Sequence, residues 1–464
     1  MTPPSTPKSL SESRKILDKQ TVSKKIISPK KTKDDKKDKE ELVTPDFKPM
    51  LQIIFWNSLG FFFFGFLIPY ATLEIMGSSG VELGYTVSIN LVGGLITAPI
   101  VGYLTDKISK KKLVLFGSFG RGIAYIIMYF SINLRSQYGL MFGIFFLGFS
   151  VGYFWTPLDS LISQKSHKTY RATAFGQRGG MIGKGNFVGS LISFAIFGLS
   201  YYFIPNITWI IYSPLLIFTF SNFYAGITFF KNTDENLTYD DYISSLNHEK
   251  KPAILSNLNE DNSKNELNVK NNRSNKLYWG FLIFMIAFML TSVNQTLSYP
   301  FLQPYLIEHF VQHPILIMLV YFPSEMIAQL LAPKLGVLAD KLNPRITILI
   351  TGSLGASITY FLINSPNAVI FGLLLVFDMV FAWLGMLILQ NFLSRFSKNN
   401  RGKIFGIRQW VSLLGGVIGP IIGGYAWVVS HEMPFIISIF VELALIPLFI
   451  LALYALKPFV AEKI

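Results

Sequence analysis

The sequence predicts an all-α polytopic membrane protein. Three observations carry that expectation: 51% of 464 residues are apolar and only 15% charged, twelve apolar runs are long enough to cross a bilayer, and basic residues gather in the loops of one side. A globule of this length would divide into several domains with polar surfaces, and the chain has too few charges to coat them. The net charge of +14, from 41 Lys+Arg against 27 Asp+Glu, could mark the basic ends of a membrane protein or a nucleic-acid surface. Its location decides. Residues 1–48 hold 13 basic and 8 acidic residues, residues 231–276 hold 7 and 8, and the other 370 carry +10 among long apolar runs. That distribution excludes a nucleic-acid partner. The absence of cysteine excludes disulfides, thiolate chemistry and Cys-ligated metal.

The runs are roughly 50–72, 81–104, 112–132, 138–163, 174–202, 209–230, 277–299, 314–337, 345–364, 367–394, 404–429 and 433–456. At 1.5 Å per residue each crosses about 30 Å of hydrocarbon. They lack strand alternation, and lipid offers the backbone no hydrogen-bond partners, so they are predicted to be helices. The first run is too long and too far from Met1 for a secretory signal. With residue 1 cytoplasmic, the inside loops 105–111, 164–173, 338–344 and 395–403 carry 11 Lys/Arg, whereas the outside loops carry only Arg135. Both termini and the central loop are therefore expected in the cytoplasm. The expected organisation is a disordered basic tail (1–48), a six-helix half (49–230), a disordered linker (231–276) with eleven Asn, a second half (277–458) and a short tail (459–464). The Lys-rich first tail could touch anionic lipid, or simply be a solvated marker of the inner side.

The halves repeat. FLIPY at 66–70 recurs as FLQPY at 301–305, GYLTDK at 102–107 as GVLADK at 336–341, and RATAFGQR at 171–178 as RGKIFGIR at 401–408, at offsets of 235, 234 and 230. Six helices return the chain to its starting side, so the repeats are parallel, with a cavity expected between them near mid-bilayer. At this point the sequence resembles the major facilitator superfamily over about residues 50–456. The loop after the second run carries that family's signature in Gly102, Asp106 and Lys107, followed by Lys110, Lys111 and Lys112; a weaker copy is Gly336, Asp340, Lys341 and Arg345. The usual glycine after the Asp-Lys pair is Ser109 or Asn343.

The resemblance implies a cytoplasmic gate. Asp106 would meet the start of helix 11, around Lys403 and Arg408, and Asp340 the start of helix 5, around Arg171 and Arg178. Asp159 is a third partner. Arg171/Arg178 and Arg401/Arg408 are seven apart, hence on one helix face, and an ionised aspartate can accept from arginine or a helix N-terminus. The basic residues could instead be topology signals alone, the favoured reading for Lys110–Lys112. The glycines of the GGVIGPIIGG stretch (Gly415–Gly424) and those around Gly179–Gly189 suit close helix crossing.

Charges inside apolar runs are expensive and need a partner, water or neutralisation. Those at mid-helix are Arg121, Lys184, Glu325, Asp378 and Glu442. On the family's helix map Lys184 and Glu325 face each other, as a proton-coupling pair or a static one. Asp378 is the best lone cavity carboxylate, for a proton or a cationic solute. Arg121 and Glu442 fall on outer helices and are expected to pair locally. Uncharged cavity candidates are Asn57, Tyr153, Trp155, Asn294, Gln295, Trp383 and Trp410, with side-chain packing as the alternative role for each. Pro69, Pro157, Pro300, Pro304 and Pro323 mark potential bends.

Other chemistry is sparse. His309 and His313 are four apart without a helix signal, so no metal is expected, and no nucleotide-binding GxxxxGK[ST] or other cofactor motif is present. No nucleophile–base constellation points to an enzyme. The expectation is a monomeric secondary transporter, integral to a membrane and by inference the cell membrane, moving a small organic solute by alternating access with proton coupling. Export of amphipathic compounds by antiport leads, over uptake of a sugar or organic acid by symport and over a non-transporting receptor or lipid-moving relative.

Overall fold

The structure, a computed structural model, describes residues 42–167, 171–248, 272–310, 314–395 and 401–456. Its long helices are α1 (Phe47–Ile75), α2 (Gly80–Lys107), α3 (Lys110–Asn133), α4 (Gln137–Gln164), α5 (Arg171–Phe203), α6 (Pro214–Asn232), α7 (Asn272–Ser298, carried on through Leu302–His309), α8 (Pro314–Lys341), α9 (Pro344–Ile363), α10 (Ala368–Arg395), α11 (Arg401–Val429) and α12 (Met433–Leu456). Ten are long and apolar enough to cross a membrane; α6 and α8 stand where the sixth and eighth apolar runs lie. Among the described residues there is no strand, only an isolated bridge between Val43 and Ser166. Starts are fixed locally: Ser79 and Glu82 form a reciprocal capping box on α2, while Ser109, Ser136 and Asn343 cap α3, α4 and α9.

Helix packing repeats between the halves. In the first, α2 and α3 lie on α4, α3 lies on α6, and α1 lies on α5 and α6; in the second, α8 and α9 lie on α10, α9 lies on α12, and α7 lies on α11 and α12. Each pair maps onto its counterpart six helices later. The halves meet through α2 with α11 and α5 with α8, which the same mapping exchanges. Sequence repeat and spatial repeat therefore coincide.

This seam is closed on the side away from the basic loops. Gly84 lies against the Pro420 carbonyl, Gly424 against the backbone of Gly80 and Val81, and the Ser88 hydroxyl donates to Val417 O at 2.8 Å. Phe62 stacks on Tyr321 with centroids 5.6 Å apart, and Phe194 meets Phe322 at 5.8 Å. Toward the basic loops a Cβ at Gly102 of α2 would meet nothing within 4 Å among the described residues, and Ile96, Ile100 and Tyr103 of α2 and Ile407 and Trp410 of α11 are exposed. A Cβ at Gly424 would meet Gly80 O and Val81 Cα, backbone that cannot yield. Gly424→Val should therefore pry the closed end apart. The chain has no cysteine, so maleimide labelling of a buried Ser88→Cys reads this directly: labelling rises severalfold with Gly424→Val, and equal labelling in both backgrounds would refute the wedge.

The basic-loop end of the first half is stapled. Lys165 is fully buried, and its ammonium donates to Asp46 Oδ2 at 2.7 Å, Asp234 O at 2.5 Å and Leu237 O at 3.0 Å. Asp46 also accepts from the Asp234 N–H at 3.0 Å. Thr44 N–H donates to Lys165 O, His167 N–H to Leu42 O, and Glu235 accepts from Ser109 and the Lys111 N–H. Residues 42–48 and 231–248, the latter including a helix Tyr239–His248, were expected to be disordered and are instead held against the bundle. One buried ammonium gathers both segments, a long-range partnership that composition cannot reveal. The remainder of the first tail, most of the linker and the last residues lie outside the described residues.

Candidate solute cavity

The first half has a sealed polar centre where α1 breaks. Its helix stops at Asn57 and restarts at Phe61, which frees backbone groups that lipid could not satisfy. Side chains from three helices take them: Arg121 of α3 donates to Asn57 O at 2.9 Å, Ser221 of α6 donates to Trp56 O, and Asn186 Oδ1 of α5 accepts from the Phe62 N–H at 2.8 Å. The Asn57 amide donates to Asn222 at 2.8 Å and Ser118 at 3.1 Å. Arg121 is fully buried, its guanidinium 4.9 Å from the Phe61 ring and 5.6 Å from Phe154. All these partners of Arg121 belong to its own half.

In the second half the same positions carry small side chains. The start of α9 is 234 residues after that of α3, and the start of α10 is 231 after that of α4. By those offsets and the 235 of α1 and α7, the places of Arg121, Phe154 and Phe61 are taken by Gly355, Gly385 and Thr296. A cavity of about 420 Å³ opens there, lined by all three and enclosed by α7, α9, α10 and α12, with Arg408 of α11. Two carboxyls line it, Asp378 and Glu442. Gly226 of α6 meets Ser118 as Ile446 of α12 meets Gly352, which puts Glu442 in the place of Asn222. Gly355 leaves the room Glu442 occupies, since a Cβ there would collide with its carboxyl. Glu442 is therefore corrected from an outer-helix residue to a cavity residue. The signal lay in the sequence: an acid in the last run, and two glycines in the run that packs on it.

Asp378, Glu442 and Arg408 line the same space, and no ion pair joins them among the described residues. Arg408 stacks on Phe288 at 4.9 Å, and its Nε finds no hydrogen-bond partner among the described residues. Neither Asp378 nor Glu442 has a hydrogen bond or ion pair among them.

The other expected residues scatter. Asn294, Gln295 and Trp383 line the cavity. Asn57 belongs to the sealed centre. Tyr153 packs on Phe116 at 4.9 Å, and Trp410 is exposed. Trp155 lies under Arg178 at 4.5 Å, and Arg178 pairs with Asp159 at 2.8 Å. This Asp159–Arg178 pair joins α4 to α5 within one half. Asp106 is exposed, Gly102 has open space beside it, Lys107 lies over Tyr103 at 4.3 Å, and Arg408 lines the cavity; the side chain of Lys403, the other expected partner of Asp106, lies outside the described residues. Lys184 is exposed. The side chains of Glu325, Gly336, Asp340, Lys341, Arg171 and Arg401 lie outside the described residues, and so do the Lys184–Glu325 pair and the second latch. Among the described residues no cluster of three or more His, Asp or Glu could hold a metal.

A family model described as Major Facilitator Superfamily matches residues 51–420 and 284–463. Multidrug resistance protein 2 of Bacillus subtilis (strain 168) is 23% identical over 407 residues, covering 84% of this chain and 91% of that one. Among solved structures, a bacterial homologue of the human lysosomal transporter Spinster, inward-facing and occupied, superposes with a TM-score of 0.66 at 11% identity over 90% of this chain and 97% of that one. A point mutant of the nucleoside transporter NupG gives 0.62 at 13% identity over 88% and 98%. A structure from work on proton-dependent oligopeptide transporters also gives 0.62 at 13%, over 89% and 98%.

Proposed function

Because the chain belongs to the Major Facilitator Superfamily, we propose that it is a secondary active transporter that moves a small organic solute by alternating access, coupled to protons at Asp378 and Glu442. The observation that carries this reading is the cavity of the second half, which two carboxyls line, neither of them with an ion pair among the described residues. A bare carboxylate at such depth costs at least about 2.5 kcal/mol, so each is carried with a proton, water or a cationic partner. A group that must exchange those partners links solute binding to proton movement. The close backbone contacts at one end of the seam and the open space beside Gly102 toward the other support an alternating cycle, and the basic loops around the latter end support a state open to the cytoplasm. Asp106 and Asp340 then latch that end in the opposite state, when the starts of α11 and α5 swing in. Export by exchange with protons fits the cavity's carboxyls and its aromatic lining, and accords with the name of the Bacillus relative.

The test is solute flux in proteoliposomes with and without an imposed pH gradient, screened over cationic dyes, sugars, organic acids and peptides. Gradient-driven flux should appear in wild type and fall at least about tenfold in Asp378→Asn and in Glu442→Gln, while solute exchange without a gradient persists. Gradient-driven flux intact in both variants would remove protons from these carboxyls.

A further inference from the structure

Arg408, Asp378 and Glu442 line one cavity, and Arg408 lacks the partner its counterpart in the other half has. Arg178 is neutralised by Asp159 at 2.8 Å and covered by Trp155. Arg408 is the same residue of the repeat, 230 positions on, and the helix offset of 231 puts Gln390 where Asp159 stands. The neutral amide cannot balance it. One face of Arg408 rests on Phe288 and its Nε has no acceptor among the described residues. Asp378 and Glu442 line the same cavity, and neither has an ion pair among the described residues. Protons could neutralise the acids but would do nothing for the guanidinium, which stays charged in proteins.

We propose that the cavity takes a dipolar solute: an amine seated against Asp378 and Glu442, an anionic group on Arg408, and an aromatic or apolar body between them. This rests on the transporter reading, and names its substrate class. A purely cationic solute would leave Arg408 unmatched and repelling; a purely anionic one would face two acids. Trp383 and Phe288 supply the flat apolar walls, and about 420 Å³ suits a molecule of small-drug size.

Tryptophan, tryptamine and indole-3-propionate share a ring and differ in charge, so they report each end separately. Their binding to the full chain in nanodiscs, measured by titration calorimetry at neutral pH, should rank tryptophan about tenfold or more above the other two, one charge-assisted contact being worth that much. Arg408→Gln should lower tryptophan to the level of tryptamine and leave tryptamine unweakened. Arg408→Lys should keep part of the preference, which separates charge from folding. Asp378→Asn with Glu442→Gln should lower tryptophan to the level of indole-3-propionate. Tryptamine binding wild type as tightly as tryptophan, or no binding by tryptophan at all, overturns the assignment. The two readings fail separately. Gradient-driven flux of a cationic dye alongside a tryptamine-preferring cavity sinks the dipolar solute and leaves the transporter. Arg408-dependent tryptophan binding with no flux of any solute supports the cavity assignment and sinks the transporter.

Discussion

Replacing Gly385 with phenylalanine should abolish solute binding while the chain still folds. The first half has made this substitution itself: the same repeat position is Phe154, which lies against Arg121 in a sealed centre. In the second half a Cβ at Gly385 would meet only Thr351 Oγ1, at 3.6 Å, an ordinary contact. The ring beyond it has one place to go, the cavity that Gly385 lines. Loss of most of the solute's contacts corresponds to at least about a hundredfold in affinity, and flux falls with it. Filling a void with apolar side chain tends to stabilise, so the variant's melting temperature should equal or exceed that of wild type. Gly385→Ala, with a methyl in open space, should bind nearly as wild type. Wild-type affinity in Gly385→Phe would show that solute binds elsewhere, between the halves for instance, and that this cavity is incidental.

The helices were legible because lipid leaves an apolar run of twenty residues no other way to satisfy its backbone. Their arrangement was legible because the repeat is written in the sequence as FLIPY/FLQPY and two further pairs. Asp378 was legible as an isolated acid in a run. Glu442 was misplaced because membership of an outer helix was taken to decide what its side chain faces; which face α12 presents depends on Gly352 and Gly355, three residues apart on its neighbour. The missing signal was comparison of the halves position by position, which shows where large residues of one become glycines of the other. The gate was legible only as a set of charges. Its pairings depend on conformation, and a sequence specifies all the states of a transporter at once; in this one Arg178 turns to Asp159 within its own half and Arg408 to the cavity. The staple at Lys165 was not legible at all. Lysine in a basic loop satisfies the topology rule, and nothing local distinguishes a lysine that folds inward.

Lys165→Ala should be among the most destabilising substitutions in the first half. The ammonium is fully buried and serves three acceptors: the Asp46 carboxylate and two carbonyls of the segment after α6. Removing it leaves a carboxylate that is only 12% exposed without its counter-charge. Breaking a buried ion pair from one side costs about 3–5 kcal/mol, and the unmet carbonyls add to this. Residues 42–46 and 232–248 should detach together, since both hang on the same ammonium, so protease cutting between α6 and the linker rises while the α3–α4 core stays protected. Asp46→Asn should cost less, because the amide oxygen still accepts from Lys165 and the ammonium keeps its two carbonyls. The order expected in thermal melts of the detergent-solubilised chain is therefore wild type above Asp46→Asn above Lys165→Ala, the last lower by several degrees or more. A Lys165→Ala melt within about one degree of wild type would mean that the staple contributes nothing to holding the segments, and that α1, α4 and α6 keep their ends together without it.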